Sequence, residues 1–212
     1  DAGLASLAAP LSARRDLALD WLEAHANSKT LDAARKLLSA THAPEPGRVG
    51  ALWLLHRRDQ LEESDILNLL EGAPPQFNHH LILALEARPS LTSAATEALV
   101  GALTSRRAHV IRAAARALAR HPSAHTAPAL LTAYQNAPTA DSHRHHQLKI
   151  ALRNTLALPG ALTSLPVDAA APSEWLLDIV AAIPTSEAAS FLIHNGIATL
   201  EDADATARYF AH

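Results

Sequence analysis

An all-α fold of stacked helical pairs is the architecture this sequence predicts, and three observations carry the prediction. Alanine supplies about a fifth of the 212 residues, while aromatics are 4% and glycines number 7; this balance favours close-packed helices over sheets, which prefer β-branched and aromatic residues. The 13 prolines punctuate the chain at intervals, and the stretches between them carry apolar residues at helical spacing. Those stretches are also alike, as the units of a repeating array are.

Taken in order, "LDAARKLLSAT" from Leu31 opens the series and "RVGALWLLHRRD" from Arg48 follows it. Next come "ESDILNLLEG" from Glu63, "HHLILALEARPS" from His79 and "SLTSAATEALVGAL" from Ser90. Then follow "RAAARALARHPS" from Arg112, "APALLTAYQN" from Ala127 and "KIALRNTLALPG" from Lys149. Aligned on their first residues, the segments at Arg48, His79, Arg112 and Lys149 lie about 31, 33 and 37 residues apart, within the period range of helical arrays. The last three stop at Pro89, Pro122 and Pro159. Ser64 and Ser90 are candidate N-caps, and Pro128 suits a first helical turn. A unit of helix, turn, helix and short loop cannot bury both apolar faces alone. About five such pairs therefore stack into a curved solenoid, with the second helix of each pair lining the inner face.

Residues 1–160 form these repeats on this reading. Residues 161–212 supply a connector and irregular closing helices of the same solenoid. The connector is the proline-rich "LPGALTSLPVDAAAPSEW". The closing segments are "SEWLLDIVAAI" with Ser173 as cap, "SEAASFLIHNG" with Ser186 as cap and Gly196 as stop, and "LEDADATARYFAH".

The segment "SRRAHVIRAAARALARHP" from Ser105 and, less closely, "PEPGRVGALWLLHRRD" from Pro44 resemble the second helix of a HEAT repeat, with its valine–arginine–alanine–leucine signature. The valine–arginine step is split by Ile111 in the first and reversed as Arg48–Val49 in the second. The resemblance runs over roughly residues 12 to 160 and implies a right-handed α-α superhelix of the HEAT/armadillo type. The following "ADSHRHHQLKIALRNTL" resembles the HEAT region of large exported multidomain proteins of planctomycete and verrucomicrobial bacteria. In those proteins HEAT arrays are joined to sugar-dehydrogenase-like propellers, cytochrome c modules or carbohydrate-active domains. None of these modules is visible in the sequence. The resemblance implies one function: an accessory domain of a carbohydrate-active or haem-linked oxidoreductase.

Composition narrows the remaining classes. A net charge of −3 and a pI near 6.5 argue against strong nonspecific nucleic-acid binding by the whole chain. The absence of cysteine excludes disulfides, thiolate metal sites, cysteine nucleophiles and covalent c-type haem attachment within these residues, yet leaves the compartment open. The absence of methionine reads as a processed product or a piece of something longer, exported or not. The longest mostly uncharged run, "LILALEA" at 81–87, falls far short of the roughly 20 residues that span a bilayer, so a soluble chain is expected.

The stretch "VIRAAARALARHPS" at 110–123 poses the functional question. On a helix Arg112, Arg116 and Arg120 share one face, since residues four apart do. Ile111, Ala115 and Leu118 form one apolar stripe and Val110, Ala114 and Ala117 another, leaving the arginine strip to water. The repeat alignment places Arg48, His79, Arg112 and Lys149 at one position, and Arg116 and Arg153 at another. Stacking then makes Arg48, Arg112, Arg116, Lys149 and Arg153 a candidate partner-binding ridge for an acidic protein surface or a polyanion. The competing reading is a solvated edge with local ion pairs, such as Arg48 with Glu45. Protein partners are favoured over nucleic acid because the total charge is negative and no aromatics interleave the cations.

Among the 13 histidines, His143 and His146 lie three apart with Asp141 as the nearest carboxylate. They are weak metal candidates, since no third ligand follows at a typical spacing, and no cofactor is expected. Trp21, Trp53 and Trp175 read as core residues. No nucleophile elbow, phosphate-binding glycine loop, dinucleotide fingerprint or zinc helix is present, and Glu62–Glu63 and Asp202–Asp204 sit in hydrophilic helix ends. The expectation is a non-catalytic scaffold or spacer. It holds a protein partner or neighbouring domains of its own chain, and its apolar ends allow self-association. A nucleic-acid-binding helical repeat is the rival from another class.

Overall fold

Prolines and capping side chains set where the helices begin. A computed structural model describes residues 2–165 and 173–195; connector residues 166–172, Gly196 and "LEDADATARYFAH" lie outside the described residues. In order the helices are α1 (Ala2–Ser6), α2 (Ser12–His25), α3 (Ser28–Ser39), α4 (Glu45–Arg57), α5 (Glu63–Leu70) and α6 (Pro75–Glu86). They continue with α7 (Ser93–Ala102), α8 (Ala108–Arg120), a 3-10 turn (Ala124–Thr126), α9 (Ala127–Gln135), α10 (Ser142–Leu156), α11 (Glu174–Ala181) and α12 (Ser186–Asn195). No strand occurs among the described residues, so the fold is all-α. None of these helices is long and apolar enough to cross a membrane.

Proline occupies the first turn of α4, α6 and α9, where its missing N–H costs nothing. The side chain of Asn27 caps α3 and that of Asp141 caps α10, each accepting a backbone N–H at 3.0 Å. Ser64 and Ser90 do not serve as caps. Glu62 caps α5 in a reciprocal box with Asp65, and the Thr92 hydroxyl accepts the Ala95 N–H. Thr185, not Ser186, performs the same task for α12, while Ser173 precedes α11 without a side-chain capping bond. The cap is whichever residue stands where the chain turns extended, and packing helps to choose it. Thr92, for instance, is also held by the carboxylate of Glu63 at the start of α5.

The chain forms two compact units, Asp1–Ala98 and Leu99–His212, with the boundary inside α7. In the first, α1 pairs with α2, α3 with α4 and α5 with α6, while α2, α4 and α6 pack in succession. Arg57 and Arg58 at the end of α4 meet Glu23 near the end of α2. Arg48 near the start of α4 lies over Phe77 near the start of α6, and Trp53 further along bonds His80. These successive helices thus run parallel, as equivalent helices of a repeat do. Leu7, Leu52, Leu54, Ile66, Phe77 and Leu81 are fully buried between them. Burial of each such side chain contributes about 1.5–3 kcal/mol.

Burial from Val49 to Gln60 repeats position by position from His79 to Ser90. The repeat register between α4 and α6 is therefore 30 residues, one fewer than the alignment on Arg48 and His79. At the equivalent positions Arg58 and Arg88 each tie a helix end to a backbone carbonyl, Glu23 O at 2.6 Å and Leu61 O at 3.1 Å.

In the second unit α8 packs on α10, α10 on α9 and α11, and α11 on α12. Ala113, Ala114, Ala115, Ala117, Leu118 and Ala119 are all buried, so the alanines of α8 let its neighbours approach closely and leave only the arginine strip to water. Arg112, early in α8, meets Asp141 at the start of α10, while Asn154 near the end of α10 donates to Ala119 O at 2.9 Å. α8 and α10 are parallel too. Beside them Tyr134 stacks on Trp175 with ring centroids 4.5 Å apart and meets His145 edge-on.

Candidate functional site

Two surfaces carry chemistry, one in each unit. In the second unit, the water-facing strip of α8 presents Arg116 and Arg120, with Arg112 partly exposed. The parallel α10 presents Lys149 and Arg153. Arg112 lies 3.9 Å from the Asp141 carboxylate, a loose pair at the surface. Arg153 donates to Asn154, itself anchored on α8. Four of the five predicted ridge residues are thus brought onto two adjacent helices.

Arg48 is the exception, and its ridge assignment is corrected. It is 6% exposed, its Nε donates to Leu38 O at 3.0 Å, and its guanidinium lies 4.2 Å from the centroid of the Phe77 ring. Glu45 is not its partner. One residue of register rotates a helix position by about 100°, which carries Arg48 from the water-facing strip into the joint between α3, α4 and α6. There it satisfies a carbonyl in the last turn of α3, which has no partner within its own helix.

The strip of α4 that does face outward is Glu45, Val49, Trp53 and Arg57. With Arg15, Asp16 and Leu19 of α2 and His80 of α6 it lines a groove of about 570 Å³. The Trp53 indole N–H donates to His80 Nδ1 at 3.3 Å, and His56 meets the same indole edge-on. Burial pushes the His80 imidazole below its ordinary range. His56 is lowered chiefly by burial as well, with Asp59 opposing and Arg88 and Arg57 adding to the depression. The Arg57 guanidinium donates to Glu23 at 2.8 Å and Asp20 at 3.1 Å, which raises its already high pKa. Arg15 donates to the Ala9 and Pro10 carbonyls in the connection between α1 and α2. The groove offers an indole, a short apolar floor and carboxylates, a combination suited to binding.

His143 and His146 are exposed at the start of α10, and Asp141 is occupied as a cap and as the partner of Arg112. No set of three or more metal-ligating side chains is gathered among the described residues. The tryptophans depart from the core reading: Trp21 is 55% exposed and stacks on His25, while Trp53 and Trp175 are half-buried. One sequence signal points to both surfaces, namely charge counted by segment. Residues 99–160 hold eight lysines and arginines against the single carboxylate Asp141, whereas residues 1–98 hold nine against thirteen carboxylates. Residues 161–212 add one arginine and seven carboxylates, and the whole-chain value of −3 hides these differences between segments.

No family model matches the chain, and no curated protein matches it. Among solved structures it is similar to the crystal structure of an engineered protein, at 18% identity over 99% of this chain and 92% of that chain, with a TM-score of 0.47.

Proposed function

We propose that this chain is a non-catalytic interaction and scaffold module built of HEAT-like helical pairs, whose α8–α10 face receives an acidic surface of a partner protein or of a neighbouring domain. The observation that supports it is the strip of Arg112, Arg116, Arg120, Lys149 and Arg153 on two parallel, packed helices, within a segment of eight cations and one carboxylate. Such exposed charges are screened over roughly 8 Å at physiological salt, so they act on a surface already in close approach. They set partner choice and on-rate more than raw affinity. The tightly packed alanine helix beneath keeps the strip stiff, so little ordering cost falls on binding.

An Arg112→Glu/Arg116→Glu chain of unchanged helicity tests the reading in a pull-down from native extract. Loss of an acidic protein partner supports it, and retention of every captured protein counts against it. The same cations also fit a phosphate backbone, so binding of single-stranded DNA that weakens steeply with salt would favour the nucleic-acid reading.

A further inference from the structure

We infer that the groove between α2 and α4 is a binding site for a cationic peptide segment, with an arginine or lysine side chain against the Trp53 indole and Asp16 and Glu45 as its counter-charges. The site is distinct from the α8–α10 strip and takes ligands of the opposite sign.

Four observations converge on it. Its volume of about 570 Å³ lies within the roughly 300–1,000 Å³ typical of ligand clefts. Both of its lining arginines are engaged: Arg57 by two carboxylates, Asp20 and Glu23, and Arg15 by two backbone carbonyls. Asp16 and Glu45, by contrast, form no ion pair or side-chain hydrogen bond among the described residues. The lining arginines and carboxylates are equal in number, but Asp20 and Glu23 beside the groove offset Arg57, which leaves Asp16 and Glu45 as the carboxylates of the groove without an ion-pair partner. Trp53, Val49, Leu19 and Pro46 supply an aromatic face and apolar wall, the surroundings a guanidinium or ammonium on a methylene stem prefers. The bond from the Trp53 indole to His80 holds the ring in place, and the acidic excess of residues 1–98 draws cations toward this unit.

Anisotropy titration of the full chain with a fluorescein-labelled hexa-arginine peptide tests the inference. Binding is expected, weakened at least about fivefold in Asp16→Asn/Glu45→Gln. The matched Glu71→Gln/Glu97→Gln chain, which removes the same charge from elsewhere in residues 1–98, should change affinity by less than about twofold. Trp53→Leu of verified helicity should weaken binding as well. Arg112→Glu/Arg116→Glu should leave hexa-arginine binding in place, so failure of the α8–α10 reading is told apart from failure of this one. Absence of binding at millimolar peptide, or equal losses in the two charge-matched pairs, would overturn the groove as a site.

Discussion

Arg48 is bound to Leu38 through the last turn of a neighbouring helix: the guanidinium Nε donates 3.0 Å to the Leu38 carbonyl while the same side chain covers the Phe77 ring. A buried cation that satisfies a helix-end carbonyl and lies against an aromatic face is a structural joint of the first unit.

Arg48→Ala should therefore destabilise the chain by about 2–4 kcal/mol, because it opens a cavity and leaves the Leu38 carbonyl unpaired. Lys149→Ala on the exposed strip of α10 should stay within about 0.5 kcal/mol. Urea midpoints of the two variants check the contrast, and equal values would return Arg48 to the surface.

Helix spacing makes a second test. A Cβ added at Gly50 would stand 2.9 Å from the Leu7 Cβ, which cannot swing aside because it is fixed to the backbone of the turn that follows α1. Gly50→Ala should cost about 1–3 kcal/mol in overpacking, outweighing the roughly 1 kcal/mol gained in helix propensity. At Gly101 on α7 a Cβ meets nothing within 4 Å, so Gly101→Ala should instead stabilise by about 0.5–1 kcal/mol. A thermal melt of Gly50→Ala that rises, as that of Gly101→Ala should, would contradict the close approach of Leu7 to α4.

The end of α4 closes in a turn with Asp59 at φ 49°, where Gln60 N–H bonds Leu55 O at 2.8 Å and Asp59 N–H bonds His56 O at 3.1 Å. That left-handed position favours glycine. Asp59→Gly is expected to raise stability by about 0.5–1 kcal/mol, since glycine adopts the conformation without a Cβ penalty. A lowered melting temperature would mean that the carboxylate contributes more than the backbone strain removes.

Acid should loosen the joint at Trp53. The folded values of His56 and His80 lie below the unfolded value of 6.5, both chiefly through burial, so the unfolded chain takes up protons first. Their contribution to stability is whole above pH 6.5 and is lost as the pH falls through the folded values. Protonated His80 also has no lone pair to accept the Trp53 indole N–H. Urea midpoints measured from about pH 8 down to pH 5 should fall less steeply for His80→Gln than for the unaltered chain. Identical slopes would remove His80 from the account.

Much of the fold was legible because helical patterns are local. The run around Ala113 to Ala119 states its own burial, since tiny side chains on every face but one leave a single strip for water, and the arginines occupy it. Arg48 was misread for an equally physical reason: a degenerate alanine–leucine pattern aligns almost as well one residue out. Trp21 and Trp53 show the same limit, because an aromatic within an apolar rhythm packs in the core only if a neighbouring helix covers that arc. In α2 and α4 the uncovered arc includes the indole.

The sequence by itself determined that the chain is helical, where most helices lie and which side of α8 meets water, since spacing, prolines and side-chain size act within one or two turns. Only the tertiary structure decided which cation is buried, which residues cap α5, α7 and α12, and that Asp16, Glu45 and Trp53 share a groove. Those outcomes depend on the register between helices, and a rotation of about 100° for each residue turns the smallest slip into a different face.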